Sequence, residues 1–266
     1  MNVVVTLLEF LIKRLAGRES LFWILKQKYR RVLSVYHRKV KNRFFKTDLK
    51  LNSSESITSE SMNLSPSQKV YHTESQSGQD IFVQIIFPDK KNGTYLEIGS
   101  GRPIKLSNTY VLEKFFHWKG LSVDIDPELI RKFNETRVNK SYCYDGTTLD
   151  YKSFVEKKEF DNNFEYLSID IDPAFQSYFA LKKILLSQIK FLTLTFEHDK
   201  YRSGPWVQFL SVILLKKFGY IRLAKDISSL GFGKYEDWWI FCEHFRLTEI
   251  IEIRKKIENL RLNLKI

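Results

Sequence analysis

Two short segments constrain the fold of this chain more than any other feature. Residues 95–101 are an apolar run that ends in a carboxylate followed by a Gly-x-Gly turn, and residues 121–127 are a second apolar run that ends in an acid. Glycines at such a turn let backbone N–H groups approach a bound molecule, and an acid at the end of the next parallel strand can bind a ribose diol. The pair predicts an α/β domain that binds a nucleoside.

Apolar runs typical of strands alternate with helical patterns throughout residues 69–243. We expect strands at 94–98, 120–125, 142–144, 164–169, 191–196, 220–224 and 238–242. This alternation predicts an α/β fold with a doubly wound, mostly parallel seven-stranded sheet. Ligands of such sheets bind beyond the carboxyl ends of the strands.

Carboxylates end five of these strands, at the edge where ligands bind. Because a buried acid needs a partner, such a row favours a polar ligand site over core packing. The five acids are Glu97, Asp124, Asp145, Asp170 and Glu197.

The glycine loop distinguishes between nucleoside cofactors. The dinucleotide fingerprint has a third glycine, but Pro103 and Ile104 stand near its place here, which counts against NAD and FAD. S-adenosylmethionine has no pyrophosphate, and Glu97 before the loop can attract its ammonium group. We therefore expect S-adenosylmethionine as the cofactor. The alternative is a buried acid at a tight turn in a domain that binds nothing.

Positive charge is concentrated in the first fifty residues. Residues 1–50 hold thirteen Lys or Arg against three acids, which is +10 of the total +12. Their apolar opening run is too short to cross a bilayer, and its cations follow it rather than precede it as in a secretory signal. We expect a basic amphipathic helical arm that binds an anionic membrane surface. The alternatives are a helix packed on the domain or on a protein partner.

The remaining segments complete the domain organisation. Residues 51–68 are a polar, Ser-rich linker before the domain at 69–243. Apolar residues at three- and four-residue steps in 244–266 predict a C-terminal amphipathic helix, packed on the domain or the arm rather than in a dimeric coiled coil.

Cys143 and Cys242 form no disulfide or zinc pattern, which indicates a cytoplasmic protein. The oligomeric state is left open.

Seven segments of the domain resemble, in order and spacing, the motifs of FkbM-type methyltransferases. They are residues 75–80, 97–101, 106–110, 123–127, 167–172, 195–201 and 235–239, and the similarity covers roughly residues 70–242. These are class I S-adenosylmethionine-dependent enzymes, many of which methylate hydroxyls of sugars or natural products. The resemblance implies a Rossmann-like methyltransferase fold. The glycine loop departs from the commoner Asp-x-Gly-Ala-Asn-x-Gly form of the family.

The resemblance also implies a cofactor site with three parts. Around the methionine part it places Glu97, Gly99, Ser100 and Gly101. At the ribose hydroxyls and the adenine amine it places Asp124 and Asp145. The residues that would close the pocket are Gln76, Asp80 and Asn108.

Methyl transfer to a hydroxyl needs a base, because an aliphatic hydroxyl is a poor nucleophile until it loses its proton. His198 is the predicted general base, since it follows a strand end and the ordinary pKa of histidine suits proton transfer near neutral pH. The alternative is a histidine that hydrogen-bonds a loop. Asp170 and Glu197, at neighbouring strand ends, are the other predicted catalytic residues.

Oxygen ligands at the same edge predict a Mg²⁺ site. The layout resembles that of macrocin-type sugar O-methyltransferases. The alternative is ordinary ion pairing of these acids with Lys200 and Arg202. The predicted ligands are Asp170, Asp172, Glu197 and Asp199.

The sequence therefore predicts a cytoplasmic, or membrane-peripheral, O-methyltransferase that acts on a sugar hydroxyl of a polysaccharide, glycolipid or related metabolite. A nucleic-acid base methyltransferase is the alternative enzyme, because residues 172–175 resemble the Asp-Pro-Pro-Tyr motif of amino-methylating enzymes and the arm could contact phosphates. Against it, Ala174 breaks the motif and the domain carries almost no net charge. A scaffold without catalysis is the third interpretation. Trp238 and Trp239 could stack on a sugar ring or pack in the core, and we expect one of them to be core.

Overall fold

The computed structural model describes residues 71–229 and 232–264, and a seven-stranded sheet forms its centre. In chain order the strands are β1 (Thr94–Ile98), β2 (Lys119–Asp124), β3 (Lys140–Cys143), β4 (Asn163–Ile169), β5 (Lys190–Glu197), β6 (Tyr220–Ser229) and β7 (Phe232–Phe241). They lie in the order β3-β2-β1-β4-β5-β7-β6. The first five strands are parallel, and β7 is antiparallel to both β5 and β6.

Eight helices of the described residues connect and cover these strands. They are α1 (Gln79–Ile86), α2 (Tyr110–Phe116), α3 (Pro127–Thr136), α4 (Tyr151–Lys157), α5 (Ala174–Leu186), α6 (Lys200–Ser203), α7 (Trp206–Lys217) and α8 (Leu247–Leu264). Two residues explain why α3 begins where it does. The side chain of Asp126 accepts hydrogen bonds from backbone N–H groups of the first turn, and Pro127 occupies the first helical position. The predicted doubly wound, mostly parallel seven-stranded sheet is confirmed.

Strands β1, β2, β4 and β5 are largely buried on both faces, because helices cover both sides of the sheet, whereas the edge strand β3 is partly exposed. Trp238 and Trp239, on β7, are both 0% exposed, and Tyr235 is also buried. Both tryptophans are therefore core residues, and neither is open for stacking on a sugar ring.

The C-terminal helix α8 packs on the domain. Ile250, Ile253 and Ile257 are buried against α1 and β6, whereas Leu247 at its start is largely exposed. The middle of the predicted apolar stripe thus supplies the contact.

The predicted basic arm at residues 1–50 and the linker at 51–68 lie outside the described residues. Within the described ranges, no helix combines the length and the apolar character needed to cross a bilayer.

Candidate functional site

A cavity of about 490 Å³ lies at the carboxyl edge of the sheet. The ends of β1, β2, β3 and β4 and the residues before and within the start of α5 line it. This is the point at which the strand order reverses, since β1 leads to β2 on one side while β4 leads to β5 on the other. Doubly wound sheets bind ligands at such a switch point, and the volume falls in the range of about 300–1,000 Å³ typical of ligand pockets.

The two glycines of the loop after β1 have different tasks. Gly99 has φ +86°, and a Cβ there would lie 1.7 Å from the backbone oxygen of Asp170, so the sheet itself requires glycine at this position. Gly101 has φ +52°, and a Cβ there would meet no atom within 4 Å. Both glycines line the cavity.

Asp124, at the end of β2, holds the glycine loop and lines the cavity. Its Oδ2 accepts a hydrogen bond from Gly101 N at 2.8 Å, and its Oδ1 accepts from Ile125 N at 2.7 Å and from Asp126 N at 3.0 Å. Backbone donors thus fix the orientation of the carboxylate. Because a carboxylate has about four acceptor positions, one remains for a ligand hydroxyl.

The part of the cavity near β2 and β3 combines apolar surface with an acid. Ile125 and Tyr144 are 68% and 48% exposed there, although large apolar side chains are usually buried. Gly146 lets the backbone pack closely against β1, because a Cβ at this position would lie 2.7 Å from a side-chain atom of that strand. Asp145 is fixed by the backbone and hydroxyl groups of Thr147. An apolar wall beside an acceptor suits a planar base that carries an amino group.

The lining of the cavity is strongly acidic. It contains four acids and, among the described residues, no Lys, Arg or His. Carboxylates gathered at one site attract cations and repel phosphates. The four acids are Asp124, Asp145, Asp170 and Asp172.

Asp170 and Glu197 form a pair of interacting acids at the ends of β4 and β5. They share a hydrogen bond, which requires a proton on one of them. The surrounding protein and the carboxylates of Asp172 and Asp199 raise the pKa of Asp170, even though its side chain opens to the cavity. Burial and the neighbouring acids raise the pKa of Glu197 well above its ordinary range. We expect the pair to hold one proton at neutral pH.

His198, the predicted general base, does not line the cavity. Its ring is fully buried: Nδ1 accepts from Lys200 N at 3.2 Å, and Nε2 lies 3.3 Å from Asp237 Oδ1. Burial alone would raise the pKa of Asp237, but His198 and Arg222 outweigh it and lower this pKa to about 2. Because both ring nitrogens are occupied, the geometry favours the alternative, a histidine that stabilises a turn.

Glu97 lies beneath the glycine loop and is also absent from the cavity lining. Its carboxylate accepts hydrogen bonds from Ser122 Oγ at 2.8 Å and Thr109 Oγ1 at 3.1 Å. Burial raises the pKa of Glu97 to about 7, although Arg137 and both hydroxyls oppose the shift. The geometry therefore does not favour the predicted contact with a cofactor ammonium group.

Ser100 and Asn108 are likewise engaged inside the protein. Ser100 Oγ lies 2.9 Å from Ser141 Oγ, and Asn108 Nδ2 donates to Ser168 Oγ at 3.0 Å. Neither residue lines the cavity. Both support the loop from below instead.

Asp80 and Gln76, predicted to close the pocket, lie near the start of α1 and not in the cavity lining. Asp80 Oδ1 accepts from Thr73 Oγ1 at 2.8 Å and from Ser75 Oγ at 2.6 Å. Burial raises the pKa of Asp80 despite these hydrogen bonds. Asp80 thus organises the turn before α1, in which Gln76 is half-buried.

The four predicted Mg²⁺ ligands do not form a single ion-binding group within the described residues. Asp172 and Asp199 each pair with Arg202 at 3.3 Å, while Asp170 and Glu197 are hydrogen-bonded to each other. Arg202 therefore already offsets part of the charge that a metal would offset. As they stand, these residues do not fit Mg²⁺.

A different trio, His198, Asp226 and Asp237, does bring its ligand atoms within 4.8 Å of one another. Lys200 pairs with Asp226 at 3.0 Å, and Arg222 pairs with Asp237 at 2.9 Å. With both acids neutralised by cations, this trio is an ion-pair network.

Several solved structures that resemble this chain are methyltransferases. The O-methyltransferase from Bacillus cereus, in complex with SAH, has a TM-score of 0.48 at 11% identity, covering 78% of this chain and 97% of its own. Human methyltransferase-like protein 13, also with SAH, has a TM-score of 0.45 at 16% identity, covering 68% and 88%. An rRNA methylase from Streptococcus thermophilus has a TM-score of 0.44 at 11% identity, covering 61% and 93%.

Similarity at this level carries no argument about activity. No family model matches the chain, and no curated protein is significantly similar to it. Membership of the FkbM family therefore stays a prediction.

Proposed function

We propose that this protein is an S-adenosylmethionine-dependent methyltransferase whose cofactor binds in the acidic cavity. The observation that carries the proposal is the lining of four acids without a Lys, Arg or His among the described residues. S-adenosylmethionine carries a sulfonium and an ammonium group against one carboxylate, whereas NAD and FAD carry a pyrophosphate. Coulomb attraction in this lining favours the cationic ligand.

The connection after the glycine loop supports the same choice. Dinucleotide-binding folds place a helix N-terminus directly behind the loop, where it binds the pyrophosphate. Here α2 begins only at Tyr110, and turns occupy most of the chain between it and Gly101. The loop thus lacks the helix end that a dinucleotide needs.

The residues of the cavity fit the cofactor in three ways. Asp124 would hold the ribose hydroxyls and Asp145 the adenine amine, while Gly101 leaves open space at the loop.

When bound, S-adenosylmethionine supplies a methyl group on a good leaving group. The protein must then orient an acceptor hydroxyl and take up its proton. Asp170, which lines the cavity and is hydrogen-bonded to Glu197, is the base we propose.

We further propose a sugar hydroxyl as the methyl acceptor, as the resemblance to FkbM-type enzymes implies. Carboxylates such as Asp170 and Asp172 can accept hydrogen bonds from neutral hydroxyls. A nucleic-acid acceptor would bring phosphates to these acids, and Arg202 nearby is already paired with Asp172 and Asp199. The charge of the site therefore favours the sugar over the nucleic-acid alternative.

Calorimetric titration of the purified protein with S-adenosylmethionine and, separately, with NAD tests the proposal. Each titration is done with and without Mg²⁺. We expect S-adenosylmethionine to bind in both conditions and NAD in neither. Binding of S-adenosylmethionine only in the presence of Mg²⁺ would support the metal prediction. If S-adenosylmethionine binds neither with nor without Mg²⁺, the proposed function is overturned.

A further inference from the structure

A buried arginine connects the glycine loop to the rest of the sheet. Arg137 directly follows α3, and its side chain is 0% exposed. Each of the five N–H groups of its guanidinium has an acceptor, which is the full capacity of an arginine. These acceptors are Glu113 Oε2 at 3.0 Å, Pro103 O at 3.0 Å, Ser107 Oγ at 3.3 Å, Tyr95 OH at 3.1 Å and Thr109 Oγ1 at 3.2 Å.

Three of these acceptors belong to the connection between Gly101 and α2. They are Pro103, Ser107 and Thr109. Ser107 Oγ also accepts a hydrogen bond from Tyr110 N at 3.1 Å, at the first turn of α2. Arg137 therefore fixes this connection near its start, near its end and at the helix that follows it.

The same arginine is linked to the acid beneath the loop. Thr109 Oγ1 accepts from Arg137 and donates to Glu97 at 3.1 Å, and Glu97 lies two residues before Gly99 in the chain. On the other side, Glu113 pairs with Arg137 and accepts from the backbone beyond it. A continuous polar network thus runs from Glu113 through Arg137 and Thr109 to Glu97, just before the loop.

We propose that Arg137 is a positioning residue for cofactor binding: by fixing the connection after Gly101, it holds the glycine loop in the conformation that keeps the cavity open. The inference rests on the proposed function, because it concerns the same site. Arg137 does not line the cavity, so it acts through Pro103, Ser107 and Thr109. Its planar, five-donor geometry is what a lysine cannot reproduce.

Two variants of Arg137 test this role by calorimetric titration with S-adenosylmethionine. Arg137→Lys keeps the positive charge but loses the planar group with five donors, whereas Arg137→Met loses both the charge and the donors. A shift of the loop should raise the Kd about tenfold for the lysine variant and up to about a hundredfold for the methionine variant. Arg131→Lys is the matched control, because Arg131 lies on α3, is exposed and pairs with Glu128 and Glu135. It should bind like the wild type.

The role must be separated from a loss of stability. Ile257→Val and Ile257→Ala remove packing from α8, away from the loop, and provide a reference series of lowered Tm. We expect the Ile257 variants to keep the wild-type Kd and the Arg137 variants to lose affinity at the same Tm. Arg137 variants that bind like the wild type, or Ile257 variants that lose as much affinity as Arg137 variants of the same Tm, would overturn the positioning role.

If the Arg137 variants do not fold, Glu113→Gln allows the same comparison, since it weakens the anchor of Arg137 and leaves the arginine in place. The wild-type protein distinguishes the two proposals. If the wild type does not bind S-adenosylmethionine, the proposed function is overturned and this inference with it. If the wild type binds and the Arg137 and Glu113 variants bind equally well, this inference alone is overturned.

Discussion

Asp124 joins the glycine loop to the cavity through one carboxylate. Asp124→Asn keeps the size of the side chain but loses its charge and one acceptor. Because a hydrogen bond to a charged group contributes about 1.5–3 kcal/mol, we expect S-adenosylmethionine to bind about 10- to 100-fold more weakly. Calorimetric titration measures the change, with Asp161→Asn as a control at an exposed acid outside the cavity. An unchanged Kd would remove Asp124 from the cofactor site.

Glu97 makes the stability of the fold depend on pH. The pKa of this buried carboxyl is about 7, against an ordinary value of 4.5. Because the folded-state pKa is raised, the stability that Glu97 contributes is fully present below about pH 4.5 and is lost as the pH rises through 7. Glu97→Gln cannot ionise, so its free energy of unfolding should rise relative to the wild type between pH 5 and pH 8.

The size of this effect follows from the shift of the pKa, and it reaches at most about 3 kcal/mol. Urea unfolding of both proteins at the two pH values measures it. The comparison between the proteins cancels the pH dependence of every other group. A difference that stays constant with pH would contradict the raised pKa of Glu97.

Side-chain direction is the part of the site that the sequence predicted least well. Glu97 and His198 both stand at the carboxyl edge, as predicted, but Glu97 contacts Thr109 and Ser122, and His198 contacts Asp237. The direction of such a side chain depends on which face of the strand it occupies and on the path of the following turn, and a short motif shows neither. Arg137 carried no sequence signal, because a lone arginine after a helix is usually a solvated surface residue.

Among the elements, the turn from β1 into its loop allows a direct comparison of two glycines. A methyl group at Gly99 would collide with the backbone of Asp170, whereas one at Gly101 would meet open space. Both positions have positive φ, so alanine costs about 1–3 kcal/mol of backbone strain at either. Gly99→Ala adds the collision, and we expect it to lower the free energy of unfolding by at least about 2 kcal/mol more than Gly101→Ala.

The two variants should also differ in ligand binding. Gly101→Ala should fold and bind S-adenosylmethionine more weakly, because its methyl group takes space at the cavity. Thermal unfolding and calorimetric titration of both variants measure the two effects. Equal stability of the two variants would contradict the close approach of Gly99 to β4.

Strands β1, β2, β4 and β5 were well predicted, because strands covered on both faces are continuous apolar runs. The edge strand β3 lacks such a run, and it was predicted at 142–144 but is observed at Lys140–Cys143. The segment 94–98 was predicted and is observed as β1 (Thr94–Ile98). The hairpin of β6 and β7 is longer than the predicted 220–224 and 238–242. Charged residues interrupt the apolar pattern by which these two strands could be recognised. Asp237, for example, is fully buried on β7, where Arg222 on β6 pairs with it. Arg222 across the hairpin and His198 after β5 together make that carboxylate acceptable in a buried strand.

For the whole molecule, the uneven charge of the chain leads to the last prediction. We propose that residues 1–50, with +10 of the total +12, bind an anionic membrane surface. Each Lys or Arg near such a surface contributes about 1 kcal/mol, so their removal should abolish this binding. Deleting residues 1–68 leaves Lys69–Ile266, which contains the whole cavity lining.

The full chain should sediment with vesicles that contain phosphatidylserine and stay in solution with vesicles of phosphatidylcholine alone. The fragment should stay in solution with both, and it should bind S-adenosylmethionine with the Kd of the full chain, because each residue that lines the cavity is retained. Sedimentation of the fragment with anionic vesicles would refute the role of the arm. Loss of cofactor affinity in the fragment would instead show that the first 68 residues support the site, which would favour the alternative of an arm that packs on the domain.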